Sequence, residues 1–505
     1  MRIRTRSLLI MVFQGLTKVS QLIIGIILVR LISKETFGSY QQVMLVYFLI
    51  VGIFTIQIDR SLYYFIPRCG QKKQRNLVAQ TLLVSSVISF IIGLAMFLSA
   101  DLFANNFQNP DISRLIRVFA FFPLFERIAQ LIPPFLISLD RPVMSGVYST
   151  LNAVITILGV VIIFSMGYGI STALITKILI EVIFALAGII IMIRLSPSGK
   201  WQFDKQLIIE QWNYCWPLML TTTIGFLNLK LDGLLISAYF SKEVYAVYSM
   251  GAMELPIIAL FTSSLSSAIM PNMVIEADNG RPKNSLNIWH EASRKSSILI
   301  FPTFFFFLIC GYDFIVLLYT QAYSKAAWPF LIYLARLPLR VAIYAAIFRA
   351  IGYTKPIFYS ALFDLVANLL ISLTLLIAGN HGFLSYIGPS IGTFFGTAAS
   401  VSYLLIVLSK KMEIHFSEVM RWKELGRIFL ISLVCALLLW LTPVPFSNSI
   451  VLKLAASFSI YCSYLLIFLL ITKSLHLDEL ELLKMPFSFL KVNFPNRFLR
   501  RNGRI

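Results

Sequence analysis

Arg336 and Arg340 lie one helical turn apart inside an apolar run, with Tyr333 and Tyr344 at spacings that put all four on one helical face. Two guanidiniums so placed form a fork of planar, paired donors that can hold a phosphate or diphosphate, and the flanking tyrosines could stack on sugar rings. The same spacing equally suits pairing with acids on other helices, Asp364 or Glu254 among them. The apolar setting makes the residues informative. An ionisable side chain near a bilayer centre costs about 3 kcal/mol, so it faces a bundle interior or a wet cavity.

Other runs carry polar groups of the same kind. Gln14, Lys18, Gln21 and Gly25 form one polar stripe, unless Lys18 snorkels to the nearer surface. Glu126, Arg127 and Gln130 cluster in another run, and Lys177 and Glu181, four residues apart, can pair within one helix. Asn228, Lys230 and Asp232 follow Thr221, Thr222 and Thr223, which suits a helix bordering water. Pro256, two positions after Glu254, should loosen its helix. No Walker A, GxSxG, HExxH or Gly-rich dinucleotide motif occurs, so a primary ATPase within this chain is excluded and no cofactor is implied. The five cysteines and four histidines stand singly, without metal or disulfide spacing.

The elements that must position these groups follow from composition. Of 505 residues 58% are hydrophobic and 13% charged, with mean hydropathy +0.81, against about 25% charged in soluble domains. The chain reads as an all-α polytopic membrane protein. Runs long enough to cross roughly 30 Å of hydrocarbon fall at about 8–32, 36–57, 77–101, 114–138, 142–166 and 170–193. A second group lies at about 208–240, 244–271, 296–319, 327–350, 355–378 and 384–409, and a final pair at about 427–442 and 450–472. Fourteen spans are expected. The basic start MRIRTRSLLIMVF has no cleavage site after it and reads as the beginning of an uncleaved first span.

The net charge of +20 would suggest nucleic acid in a soluble chain, but here its distribution decides. With the N-terminus cytoplasmic, 30 lysines and arginines fall on inside segments and only 7 on outside loops or outer span ends. That is the positive-inside pattern, and it places both termini in the cytoplasm of a cell-membrane protein. The basic inner loops, RCGQKKQRN among them, serve as topology signals or lie along anionic lipid. The tail 473–505 reads either as an interfacial helix with a basic arm or as a disordered, charge-biased end.

An octet repeats across the chain. Ser33 to Tyr40, SKETFGSY, returns 208 residues later as SKEVYAVY, Ser241 to Tyr248, each time between two apolar runs. The topology puts both copies in outward-facing hairpin turns, as two parallel six-helix repeats require. The expected division is an N-terminal lobe 1–206, a second lobe 207–411, an added helix pair 412–472 and a basic cytoplasmic tail 473–505.

With these features and the motif LVRLISKETFGSYQ, the chain resembles the polysaccharide exporters of the multidrug/oligosaccharidyl-lipid/polysaccharide superfamily. Arg30, Leu31, Ser33, Glu35, Phe37, Gly38 and Tyr40 match the first-hairpin pattern, and Asp232, Leu234, Leu235, Ser241, Glu243 and Tyr248 the second. The resemblance implies MATE-like lobes and a flippase for polyprenyl-diphosphate-linked oligosaccharide, the precursor of O-antigen, capsule or exopolysaccharide. Substrate would enter a cavity lined by Lys18, Gln21, Arg127, Lys230, Tyr333, Arg336, Arg340 and Tyr344, with Asp232, Glu254 and Asp364 as candidates for ion coupling. Partners would be the lipid-linked oligosaccharide, membrane lipids and other membrane proteins of polysaccharide assembly. Two other readings compete. A cation-coupled multidrug antiporter of the same fold usually has twelve spans, and an enzyme of glycan polymerisation or ligation would need a large outer catalytic loop.

Overall fold

A computed structural model describes residues 13, 15, 23–54, 57–197, 202–445 and 449–472. Among them there is no β-strand. Hydrocarbon offers the backbone no hydrogen-bond partners, so apolar runs must satisfy their own amides as helix. Helix α1 is described over residues 23–31. It is followed by α2 (Lys34–Phe54), α3 (Ile58–Phe65), α4 (Gln71–Asn106), α5 (Asp111–Phe119), α6 (Phe122–Ala129), α7 (Ile132–Ser138), α8 (Pro142–Ser165) and α9 (Ile170–Leu195). The second half has α10 (Lys205–Tyr239), α11 (Lys242–Gly251), α12 (Pro256–Asp278), α13 (Pro282–Tyr319), α14 (Ala327–Leu334), α15 (Arg336–Leu339), α16 (Tyr344–Ala350), α17 (Lys355–Ala378) and α18 (Phe383–Met412), before the pair α19 (Trp422–Leu441) and α20 (Ile450–Ile471).

Eleven helices among the described residues are long and apolar enough to cross a membrane. The expected fourteen exceed that number for local reasons. The first run lies largely outside the described residues. The fourth run is divided into α5, α6 and α7, because Pro123, Pro133 and Pro134 lack the N–H that would bond the preceding turn. The seventh forms α10, 35 residues long but interrupted by Asn228, Lys230 and Asp232. The tenth run still counts as one span, Gln321–Ala350, but it too is in pieces, α14 to α16, with Pro338 inside the second. Tyr333, Arg336, Arg340 and Tyr344 therefore do not share one continuous helical face. Lipid-type surfaces are apolar: Leu98, Ile183, Ile377 and Ile471 point outward, each largely exposed outside a bilayer.

The two octets start equivalent helices and meet each other. Ser33 Oγ accepts from the Thr36 amide at the head of α2, and Ser241 Oγ from the Val244 amide at the head of α11, each satisfying a first-turn donor. At Gly38 the two backbones nearly touch, since an added Cβ would lie 2.1 Å from the Lys242 carbonyl oxygen. Lys242 Nζ pairs with Glu35 at 2.7 Å. Arg30 crosses the same junction to donate to the carbonyls of Leu317 (2.7 Å) and Leu318 (2.5 Å) in the last turn of α13, a favoured place for a cation. From there α2 and α10 run side by side. Gln42 donates to Ser237 (2.9 Å), Thr223 to the Gly52 carbonyl (3.1 Å) and Cys215 to the Gln57 carbonyl (3.7 Å). The added pair docks on α13, where Phe305, Phe306 and Cys310 pack with Cys435, Leu439 and Tyr461.

Candidate functional site

The break between α11 and α12 and the breaks within α14 to α16 face one another across a cavity of about 400 Å³. Helix α11 stops at Gly251 and the chain resumes as helix at Pro256, so the loosening expected from Pro256 is a complete interruption. It leaves Glu254 free of helix geometry. Opposite, Pro338 denies Leu334 its hydrogen bond, and α15 is a single turn bracketed by Arg336 and Arg340. The cavity is completed by α10, α17 and α18.

Tyr333, Arg336, Arg340 and Tyr344 all line it, together with Glu254 and Asp364. Glu254 Oε1 lies 2.5 Å from Arg340 Nη1 and 3.6 Å from Arg336 Nη1. Arg336 is nearly buried, donates through Nε to Thr397 Oγ1 at 3.0 Å and stacks its guanidinium 5.4 Å from the Tyr333 ring centre. Arg340 is about half exposed, at 48%. The two guanidiniums thus share one carboxylate, and Arg340 keeps open donors toward the cavity.

Asp232 sits beneath, 2% exposed. Its carboxylate accepts from Tyr333 (2.6 Å), Tyr248 (3.3 Å), both oxygens from Thr393 (2.8 and 2.7 Å), and Asn368 (3.4 Å). Asn368 in turn donates to Asn228 (3.0 Å) and Thr393 (3.0 Å). The Tyr333 hydroxyl therefore links this network to the ring under Arg336. Asp364 stands on α17 four residues before Asn368, its Oδ1 buried without a hydrogen-bond partner. What brings these groups together is the closest helix pair of the fold. Gly388, Gly392 and Gly396 face α17, and a Cβ at Gly392 would meet Ser372 Oγ at 2.1 Å, at Gly396 the Asp364 carboxylate at 2.5 Å. That four-residue glycine ladder is a small-xxx-small packing motif readable in the sequence, and it was the available signal for Asn368, Thr393 and Thr397, which sequence reasoning missed.

The remaining candidates lie elsewhere. Arg127 is in the first half, its Nε 3.2 Å from Glu126 Oε2, beside a narrow cleft that also involves Gln57 and Asp59; Gln130 donates to the other Glu126 oxygen at 2.7 Å. Lys230 points across the α2–α10 seam, its ammonium 4.6 Å from the Phe48 ring centre. Lys177 does not settle on Glu181 but lies over the rings of Phe119 and Phe122, while Glu181 accepts from Asn152 at 3.1 Å. Aromatic faces on neighbouring helices outcompete an intrahelical partner there. Gln14, Lys18 and Gln21 lie outside the described residues.

A two-half helical bundle with octet-capped hairpins, broken fourth helices and a charged cavity inside the membrane region defines a transporter-type fold. Residues 27–328 match the family described as "Polysaccharide biosynthesis protein". The chain belongs to this family. No curated protein matches the sequence. Among solved structures, the lipid II flippase MurJ in an inward closed conformation aligns with TM-score 0.67 at 16% identity, covering 91% of this chain and 98% of that one. An inward-facing multidrug resistance MATE family transporter of the MOP superfamily aligns at 0.55 and 14% identity, covering 80% and 95%. A MOP superfamily transporter from Pyrococcus furiosus aligns at 0.56 and 14%, covering 82% and 95%. The fold is MurJ- and MATE-like.

Proposed function

We propose that this protein is a flippase that moves polyprenyl-diphosphate-linked oligosaccharide from the cytoplasmic to the outer leaflet of the cell membrane. The observation that carries the reading is Glu254 shared between Arg336 and Arg340 at the wall of a membrane-embedded cavity. A diphosphate must be held and then released, so its arginine fork needs a competing partner inside the protein. Glu254 is placed for that role: with substrate absent it takes the fork, and a diphosphate displaces it by offering more acceptor oxygens. Tyr333 and Tyr344 offer faces for the first sugar. The family and the MurJ-like fold support a lipid-linked substrate, and the basic inner loops support cytoplasmic termini. In this reading two lobes, 1–206 and 207–411, rock against each other about the α2–α10 and α2–α11 seams, and the added pair 412–472 rides on the second through α13. Asp232 and Asp364 are the coupling-ion candidates, with the unpartnered Asp364 oxygen the open acceptor.

The test is mass spectrometry of lipid-linked sugars with a sidedness probe on membrane vesicles, comparing wild type, a depleted strain and Arg340→Glu. Accumulation of one polyprenyl-diphosphate glycan in the cytoplasmic leaflet, in both depletion and variant with normal protein levels, is the expected result. Normal export by Arg340→Glu would sink the fork. No accumulation on depletion, with increased sensitivity to organic cations instead, would establish a drug exporter of the same fold.

A further inference from the structure

A second cavity, about 810 Å³, opens far from the first, where the α3–α4 link meets the first turns of α10. That is within the range of sites for small molecules and headgroups. It lies at the end of the helices opposite the octets, in the segment where the sequence concentrates Arg60, Arg68, Lys72, Lys73 and Arg75. A topology signal needs charge alone, yet Arg68 is held against an aromatic shelf. Tyr64 stacks on Tyr214, centroids 4.8 Å apart at 25°. The Arg68 guanidinium lies 3.9 Å from the Tyr64 ring centre and donates through Nη1 to the Tyr64 carbonyl at 2.8 Å. Its other donors remain available beside Lys73, which also lines the cavity. The acidic member of the wall, Glu210, accepts from Gln206 at 3.1 Å and has a second oxygen for a hydroxyl.

We propose that this cavity binds the phosphate-bearing headgroup of a lipid at that membrane surface. Arg68 and Lys73 take the phosphate oxygens, the Tyr64–Tyr214 shelf carries the polyol or sugar, and Glu210 accepts one of its hydroxyls. Arg68 is already held in place by the ring and the carbonyl, so little side-chain entropy is lost on binding. The inference stands apart from the arginine fork and does not depend on what the first cavity carries. Two lipids share the chemistry: a bulk anionic phospholipid and a polyprenyl-diphosphate sugar carrier.

Full-length protein in phosphatidylcholine nanodiscs, titrated with phosphatidylglycerol or with undecaprenyl diphosphate and read by native mass spectrometry, tests it. Arg68→Gln should weaken binding of the phosphate lipid about tenfold, in line with loss of a charge-assisted contact. Lys73→Gln should do the same while leaving the Tyr64 contacts intact, which covers the case in which the Arg68 variant fails to fold. Tenfold weaker binding of both lipids assigns a general phosphate site. Weakening for undecaprenyl diphosphate alone assigns the site to the carrier. Unchanged binding of both lipids by a monodisperse Lys73→Gln variant overturns the proposal.

Discussion

Replacing Gly38 with alanine should pry open the octet junction, and the structure sets the size of the effect. The new Cβ would stand 2.1 Å from the Lys242 carbonyl oxygen and 2.6 Å from its carbon, where contacts under 3.0 Å essentially never occur. Both neighbours are backbone, so no side chain can rotate away. The heads of α2 and α11 must separate by roughly 1 Å, a distortion of the overpacking kind that costs about 1–3 kcal/mol. Alanine raises helix propensity equally whether the junction is shut or open, so only the clash acts on that balance. The open population should rise roughly 5- to 150-fold. The assay is cross-linking by a short bis-thiol-reactive reagent between cysteines introduced as Glu35→Cys and Lys242→Cys, positions whose long side chains now meet at their tips, 2.7 Å apart. Losing that ion pair itself matters little, because Glu35 is mostly exposed. Gly38→Ala in this background should cut the cross-link yield by at least several-fold. An undiminished yield would show that the junction is not the close backbone contact described, and the seam would lose its place in any opening motion.

The other predictions concern charges in two settings. Asp232→Leu should lower the melting temperature in detergent markedly, since it leaves the donors of Tyr248, Tyr333, Thr393 and Asn368 buried without their acceptor, at about 1–3 kcal/mol each before rearrangement. Asp232→Asn keeps the shape and should retain most of that stability while losing transport if the carboxylate carries the coupling ion; a fully active Asp232→Asn variant would remove it from that role. Arg117 and Asp101 pair at 2.5 Å but are 43% and 63% exposed, so Asp101→Asn should change neither transport nor melting temperature by more than the small effect of a solvated pair, under about 1 kcal/mol.

Much of the architecture was legible because membrane helices advertise themselves by length and apolarity. The octet marked the two equivalent hairpins, though nothing in it showed that the copies touch. That contact depends on Gly38, a tertiary fact hidden in a residue that looks like an ordinary turn glycine. Of the proposed cavity residues, Tyr333, Arg336, Arg340 and Tyr344 do share a wall, yet for a different reason from helical spacing. Arg127 and Lys230 were grouped with them because charge inside an apolar run looks alike wherever it occurs; which helix face it occupies depends on packing. Asn368, Thr393 and Thr397 were overlooked as ordinary polar residues, although the glycines of α18, beside the two threonines and facing Asn368, carried the signal.

The broken fourth helix of each half indicates that proline positions the basic groups. In the first half α5, α6 and α7 carry Arg127 on the middle piece; in the second, α14, α15 and α16 carry Arg336 on the middle piece and Arg340 at its end. The first cluster is closed around Glu126, whereas the second faces the open cavity. If Pro338 creates that difference, Pro338→Ala should restore an amide able to bond the Leu334 carbonyl and favour a continuous helix by up to about 3 kcal/mol. Continuity would turn Arg336 and Arg340 out of their shared grip on Glu254. The expected variant is more heat-stable in detergent and slower in export, with normal abundance in the membrane. Wild-type export from a variant with raised melting temperature would mean that the fork works on an unbroken helix, and that the break serves packing rather than the site.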